Sequence, residues 1–394
     1  MKILMVCTRI PYPLTAGFRI RTYNEAKYAK KAGHSVDLIY MDASRQSENY
    51  SNELSEAFDN IFCQKVSKIE ATLNLIKAIF DPQLPLQVAL YKNREMKKYI
   101  DAISQNYDVI IGNNIRTAEL LSETVAEKVV FDYHDAISYN YQNAILCTKG
   151  LKKLIYKIEY RRVLAYEKIV SKRFRRSVII SNEDKDCLKS YGCKTDTMTV
   201  IPVAVRDDIL DRSNYFNDSE DAICFLGKMS YQPNEEAVIW FVKNVYLQLK
   251  KRCPILKFYI IGVEPSVTVQ KLEQEDGIYV TGFMENPYEL ISHCKVMVVP
   301  IQNGAGMQNK VLESMVVGTP TVISPIAAEG MNGKDGEYYY VATTPEDYIE
   351  KIHQLLNNSQ LRINMGTAAR HLVESQYSWD VLWDKWEYII ADKK

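Results

Sequence analysis

Two short apolar runs, 296–299 and Thr321–Ile323, bracket a polar glycine-containing loop and a helical stretch from about 308 to 317. That order constrains the fold more than any other part of the chain. Runs this short and this apolar read as buried strands, and Pro300 closes the first of them. Gly318 and Pro320 stop the helix before the second strand begins. A strand, a loop, a helix and a strand imply a parallel pair with the helix as crossover. The loop and the helix N-terminus then lie at the carboxyl edge of the sheet. Free backbone N–H groups and the positive end of the helix dipole make that edge an anion site.

The same alternation runs through the rest of the sequence. Segments 3–7, 36–40, 109–111, 129–131 and 177–180 read as strands, and a helix over 19–32 ends at Gly33. Residues 202–221 are polar, rich in Asp and Asn and without apolar period, so they read as a linker. The pattern restarts with strands 222–226, 258–261 and 278–281 and a helix over 235–249. Strands separated by helices imply doubly wound α/β architecture. At 394 residues, two such domains are expected in place of one. The expected boundaries are 1–203, 204–375 and a C-terminal helix over 376–394 that packs back on the first domain. Two sheet edges facing across a cleft would be the default ligand site.

Composition narrows the function. Lys+Arg and Asp+Glu are equal at 49 each, which argues against nucleic acid as the main partner. No apolar run approaches the length of a bilayer span, and the first residues read as a strand, not a signal peptide. The eight cysteines are scattered without a Cys-x-x-Cys pair, the pattern of a reduced, cytoplasmic protein without a zinc site. No Asp-x-Asp pair is present to hold a divalent metal against a diphosphate, so neither metal nor cofactor is expected.

Lys310 falls in the first turn of the 308–317 helix, and Glu313 lies three residues later on the same face. A cation beside a carboxylate at a helix N-terminus suits a phosphate attached to a sugar with free hydroxyls, as in a nucleoside-diphosphate sugar. Two plainer readings compete with it. Such a pair is often an ordinary exposed ion pair. The glycines Gly304 and Gly306 could also open a dinucleotide fingerprint, but Asn309 stands where its third glycine belongs.

Several blocks, in order, resemble the retaining GT-B glycosyltransferases of family 4, and among them the bacterial polysaccharide sugar transferases. The blocks are CTRIPYPLTAGFRIRTYN, FDYHDAISYNYQNA, FLGKMSYQPNEEAVIWF, VTGFMENPYELISHCKVMVVP and QNKVLESMVVGTPTVISPIAAEGM. The resemblance implies two Rossmann-like domains, the first for the acceptor and the second for the donor. It implies transfer from a nucleoside-diphosphate donor to a polyprenyl-linked or oligosaccharide acceptor with retention, in bacterial surface polysaccharide biosynthesis.

By residue, the resemblance implies that Glu313 bonds the ribose hydroxyls and that Lys310 and Lys228 meet the diphosphate. Lys228 replaces a customary arginine and so loses the bidentate fork. Gly227 would let backbone approach the phosphates and Gly17 the donor phosphate or the acceptor, Gly282 flanks the base, and His134 lies near the transferred sugar. The family's first motif glutamate is missing, because Ala305 occupies its place. Gly306, Gln308 and Asn309 are then the candidates for sugar contact. Two other readings stay open: a GT-B nucleotide-sugar 2-epimerase, and a degenerate subunit without catalysis.

Residues 149–176 hold eleven Lys/Arg against Glu159 and Glu167. Leu151, Leu154, Ile155, Ile158, Tyr166, Ile169 and Val170 follow helical spacing and are expected to face the core. The basic stripe of Lys153, Lys157, Arg161, Lys168 and Lys172 is expected to contact an anionic membrane peripherally, at the inner face of the cytoplasmic membrane.

Overall fold

A computed structural model describes residues 1–14, 17–42, 50–210, 220–303 and 307–392. The chain forms two compact units, Met1–Ala204 with Trp379–Lys394, and Val205–Ser378. The first holds a seven-stranded sheet: β1 (Lys2–Cys7), β2 (Ser35–Asp42), β3 (Asn60–Lys65), β4 (Val109–Asn113), β5 (Val129–Asp132), β6 (Arg176–Ile179) and β7 (Met198–Val200). Their order is β3-β2-β1-β4-β5-β6-β7, and each neighbouring pair is parallel. Ile3 pairs with Val36 on one side and Val109 on the other. Ile3, Leu4, Met5 and Val6 are all buried. Burial on both faces explains why β1 reads as a continuous apolar run and not as an alternation.

Helix α1 (Gly17–Lys31) covers one face of this sheet together with α6 (Trp379–Ile390). The Trp379 ring stacks on Tyr28 at 5.5 Å between centroids, and Trp383, Trp386, Ile389 and Ile390 join the same core. The C-terminal helix therefore belongs to the first unit.

On the other face, α2 (Lys68–Ile79) and α3 (Gly150–Arg173) correct one expectation. Of the apolar residues assigned to the core, only Tyr166 and Val170 are buried. Leu151, Leu154, Ile155, Ile158 and Ile169 are exposed. The buried seam of α3 is Glu159, Val163, Tyr166, Glu167, Val170 and Ser171. Both acids are used there. Glu159 accepts the Leu86 amide at 3.0 Å, and Glu167 accepts the Ser138 amide at 3.2 Å. Helical spacing identifies an apolar stripe but not which side of the helix meets the protein. Here the two buried acids mark the inner side.

The second unit holds β8 (Glu220–Leu226), β9 (Lys257–Ile261), β10 (Ile278–Gly282), β11 (Cys294–Val299), β12 (Thr321–Ile323) and β13 (Tyr340–Val341). The order β10-β9-β8-β11-β12-β13 is again all parallel. Helix α4 (Gln232–Phe241) follows β8, and α5 (Asn309–Val316) follows β11. Gly318, at φ +79°, ends the α5 segment in a conformation that glycine adopts without strain. The segment read as a linker is partly built into this unit. Residues Asp207–Leu210 are helical, and Ile209 is fully buried. Residues 211–219 and 304–306 lie outside the described part, and with them Ala305 and the candidate Gly306.

Candidate functional site

Each sheet reverses its strand order once, between β1 and β4 and between β8 and β11. Loops diverge at such a point and leave a crevice at the carboxyl ends of the strands. The described candidate residues collect at both reversals, except Gly282, which ends the edge strand β10.

In the second unit, Gly227 and Lys228 follow β8, while Lys310 sits in the first turn of α5 after β11. Asn234 joins the two sides. Its Nδ2 donates to the Lys228 carbonyl at 2.9 Å, and its Oδ1 accepts from Lys310 Nζ at 2.5 Å. The Lys310 ammonium also lies over the Phe225 ring, 4.6 Å from its centre. Burial lowers the Lys310 pKa to about 7, and Glu313 opposes that fall. Gly227 is required by this packing. A Cβ there would stand 2.6 Å from Asn234 Nδ2 and 3.2 Å from Lys310 Nζ.

Lys310 forms no ion pair with Glu313 among the described residues. The plain reading of an ordinary helix pair therefore fails. Burial raises the Glu313 pKa, and the charges of Arg206 and Lys310 pull against the rise. Arg206 is held by a two-pronged contact to Asp208, at 2.9 and 2.7 Å. Lys228 is more exposed and is tied to Glu264 at 2.9 Å. Glu264 also accepts from Ser230 at 2.6 Å, and it has a φ of +55°, uncommon for a residue with a side chain. Gln308 and Asn309 open α5 and are half-buried. Gly282 ends β10 at φ +66°, with open space where a Cβ would be.

Sequence reasoning missed Asn234, Arg206 and Glu264. Asn234 had one signal, a buried-type polar residue directly after the Pro233 that opens a helix. Arg206 and Glu264 had none, since each gains meaning only through a partner distant in sequence.

In the first unit, a pocket at the β1/β4 reversal is lined by Thr8, Arg9, Phe18, Asn113, Arg116 and His134, among others. Gly17 is the exposed first residue of α1, next to Phe18. His134 has φ +62° and Asn114 φ +73°, two side-chain-bearing residues in left-handed backbone just beyond the ends of β5 and β4. The His134 Nε2 is 2.5 Å from Asn113 Oδ1, and its amide donates to Asp132 Oδ1 at 3.1 Å. The buried Asp132 is also paired with Arg21 at 3.0 Å, and Arg21 with Glu25 at 2.8 Å. Burial lowers the His134 pKa against the pull of Asp132, so the imidazole is neutral at neutral pH. The sequence neighbour Asp135 turns away and accepts from Asn140 at 2.6 Å. Among the described residues no group of His, Cys, Asp and Glu is placed to hold a metal ion.

Comparison with known proteins identifies the fold. S. aureus TarM, in a mutant complexed with fondaparinux, alpha-GlcNAc-glycerol and UDP, superposes with a TM-score of 0.71 over 99% of both chains, at 13% identity. WaaG, a glycosyltransferase involved in lipopolysaccharide biosynthesis, superposes at 0.66 over 98% of this chain and 99% of its own, also at 13% identity. The fold is GT-B. Residues 220–358 match the sequence model of the family described as Glycosyl transferases group 1. A protein of Klebsiella pneumoniae described as an uncharacterized 44.6 kDa protein in the cps region is 23% identical over 354 residues, 86% of this chain and 87% of its own. Fold and sequence match together support a GT-B glycosyltransferase, and the matched segment holds Gly227, Asn234, Lys310 and Glu313.

Proposed function

We propose that this GT-B chain transfers a sugar, with retention, from a nucleoside-diphosphate donor to a saccharide or polyprenyl-linked acceptor in bacterial surface polysaccharide biosynthesis. The observation that carries the reading is the separation of Lys310 from Glu313 at the β8/β11 reversal. Asn234 holds the cation without neutralising it, which leaves its charge for a diphosphate. Glu313 is left as an acceptor for ribose hydroxyls. The names of two similar proteins, in the cps region and in lipopolysaccharide biosynthesis, support the pathway class. UDP in the TarM complex supports a nucleotide donor.

In this reading the diphosphate leaves against Lys310, Lys228 and the N–H groups that open α5. Those groups are fixed before the reaction, so they stabilise the developing charge without reorganising. Gln308 and Asn309 are the described candidates for sugar contact in the absence of the family's first glutamate. The neutral His134, held by Asn113 and Asp132, presents a fixed polar edge in the acceptor unit. The acceptor hydroxyl attacks from the side of the leaving group, and the diphosphate takes its proton. No residue of the chain is assigned as nucleophile, and no metal or cofactor takes part.

The test is titration of the purified chain with UDP, GDP, ADP and their sugars, with Glu313→Ala as control. Binding of one nucleotide series that the control weakens supports the reading. Absence of binding to every member overturns it.

A further inference from the structure

Helices α2 and α3 leave large apolar side chains in water. On α3, Leu151, Leu154, Ile155 and Ile158 are exposed at the i, i+3, i+4, i+7 spacing of one stripe. On α2, Ile69, Leu73 and Ile76 form a second stripe, and Phe80 continues it past the helix end at 83% exposure. Ala78, the one fully buried residue of α2, lies on the opposite side. The helices meet where Arg162 Nη2 donates to the Ile79 carbonyl at 3.1 Å. Arg162 is one turn from Ile158 on α3, so the two stripes adjoin. Ile79 is exposed at the junction, and Leu146 at 76% exposure precedes α3. Large apolar side chains exposed along two helices in contact mark an interaction site.

The charge around the stripes says what covers them. Lys152 and Arg161 flank the α3 stripe, Lys157 lies further round the exposed side, and Lys68 and Lys77 flank the stripe on α2. Both acids of α3 are turned inward, Glu159 onto the Leu86 amide and Arg162, and Glu167 onto the Ser138 amide. An apolar stripe flanked by lysine and arginine is the pattern of a helix lying in a bilayer interface. Its side chains reach the acyl boundary while its cations meet anionic headgroups. No helix among the described residues is long and apolar enough to cross a membrane, so contact is from one side. We infer that α2 and α3 form a two-helix membrane-docking face that inserts Leu151, Leu154, Ile155, Ile158, Ile76 and Phe80 into an anionic leaflet. This differs in kind from adsorption by a basic stripe whose apolar side stays in the core. Electrostatic adsorption is removed by salt, whereas inserted side chains keep a salt-resistant part of the binding.

The experiment is flotation of the full chain with phosphatidylglycerol–phosphatidylcholine vesicles or with phosphatidylcholine alone, at low and high salt. The inference expects binding to the anionic vesicles that high salt weakens but does not abolish. The variant Leu151→Ser/Leu154→Ser/Ile76→Ser/Phe80→Ser is expected to bind at least roughly tenfold more weakly. These side chains are exposed, so UDP affinity and the circular dichroism spectrum are expected to be unchanged. A second readout does not depend on loss of function: Phe80→Trp adds indole emission that shifts to the blue on anionic vesicles. Binding that salt abolishes and the serine variant leaves intact overturns insertion. So does a dimer in solution that the serine variant dissociates, since a second copy would then cover the face. None of these outcomes depends on whether the proposed transfer reaction occurs.

Discussion

Lys310 Nζ rests 2.5 Å from Oδ1 of Asn234, a neutral acceptor, and not on the carboxylate of Glu313 one turn along its own helix. A carboxylate at position 234 would keep the lysine in place and cancel its charge. The neutral amide keeps it in place and leaves the charge available. Asn234→Asp is therefore expected to weaken nucleotide-sugar binding more than Asn234→Ala, although Asp is the closer match in shape. Calorimetric titration of both variants decides the point, and equal affinities would mean that Asn234 is only a packing residue.

The lowered pKa of Lys310 gives donor binding a pH dependence. In the free protein the ammonium titrates near 7, so the charged fraction falls as pH rises from there toward the ordinary lysine value. The diphosphate of a nucleotide-sugar stays ionised over the same range. Affinity is expected to decline between about pH 7 and pH 9, while Lys310→Arg, always charged, flattens the profile. The sign for folding is opposite. The unfolded chain binds this proton more tightly, so Lys310 penalises stability at neutral pH, and the penalty is relieved as pH rises toward the unfolded pKa. An affinity that rises with pH in the unsubstituted protein would contradict the assignment.

Glu313→Ala removes a charge-assisted contact to the ribose, worth roughly 1.5–3 kcal/mol. Nucleotide affinity should fall by about ten- to a hundredfold with the melting temperature little changed. Lys310→Ala is expected to lower kcat, and Lys228→Ala to do so less, because Lys228 is half-exposed and already paired with Glu264. Steady-state kinetics separate these outcomes from a pure KM effect.

Two glycines in contact are expected to respond differently. Gly227→Ala places a methyl against Asn234 and Lys310, side chains that can yield, so binding is lost before stability. Gly262, at φ +146°, would carry a Cβ only 1.8 Å from the Gly227 carbonyl, a backbone atom that cannot yield. Gly262→Ala is expected to unfold the second unit, read as loss of the cooperative thermal transition.

The central strands were legible in the sequence because burial on both faces writes them as unbroken apolar runs. Those it left out, β3, β7 and β13, are the sheet edges other than β10. Asn60–Lys65 alternates between exposed and half-exposed residues, and Met198–Val200 and Tyr340–Val341 are too short to carry a period. Helix α3 shows the other limit. Its apolar spacing was plain, yet the buried seam runs through Glu159 and Glu167, whose partners at Leu86 and Ser138 no local pattern foretells. At the site, Lys310 and Glu313 stood out because one helix turn carries both. Asn234 and Arg206 did not, because contacts across the unit give them their roles.

The most direct test follows the proton NMR spectrum of the sugar first released when the purified chain hydrolyses an α-linked UDP-sugar without acceptor. Retention through the Lys310–Glu313 site predicts the α-anomer first, with release at low donor concentration slowed about ten- to a hundredfold in Glu313→Ala. The β-anomer appearing first, or a 2-epimer in place of hydrolysis, would contradict it.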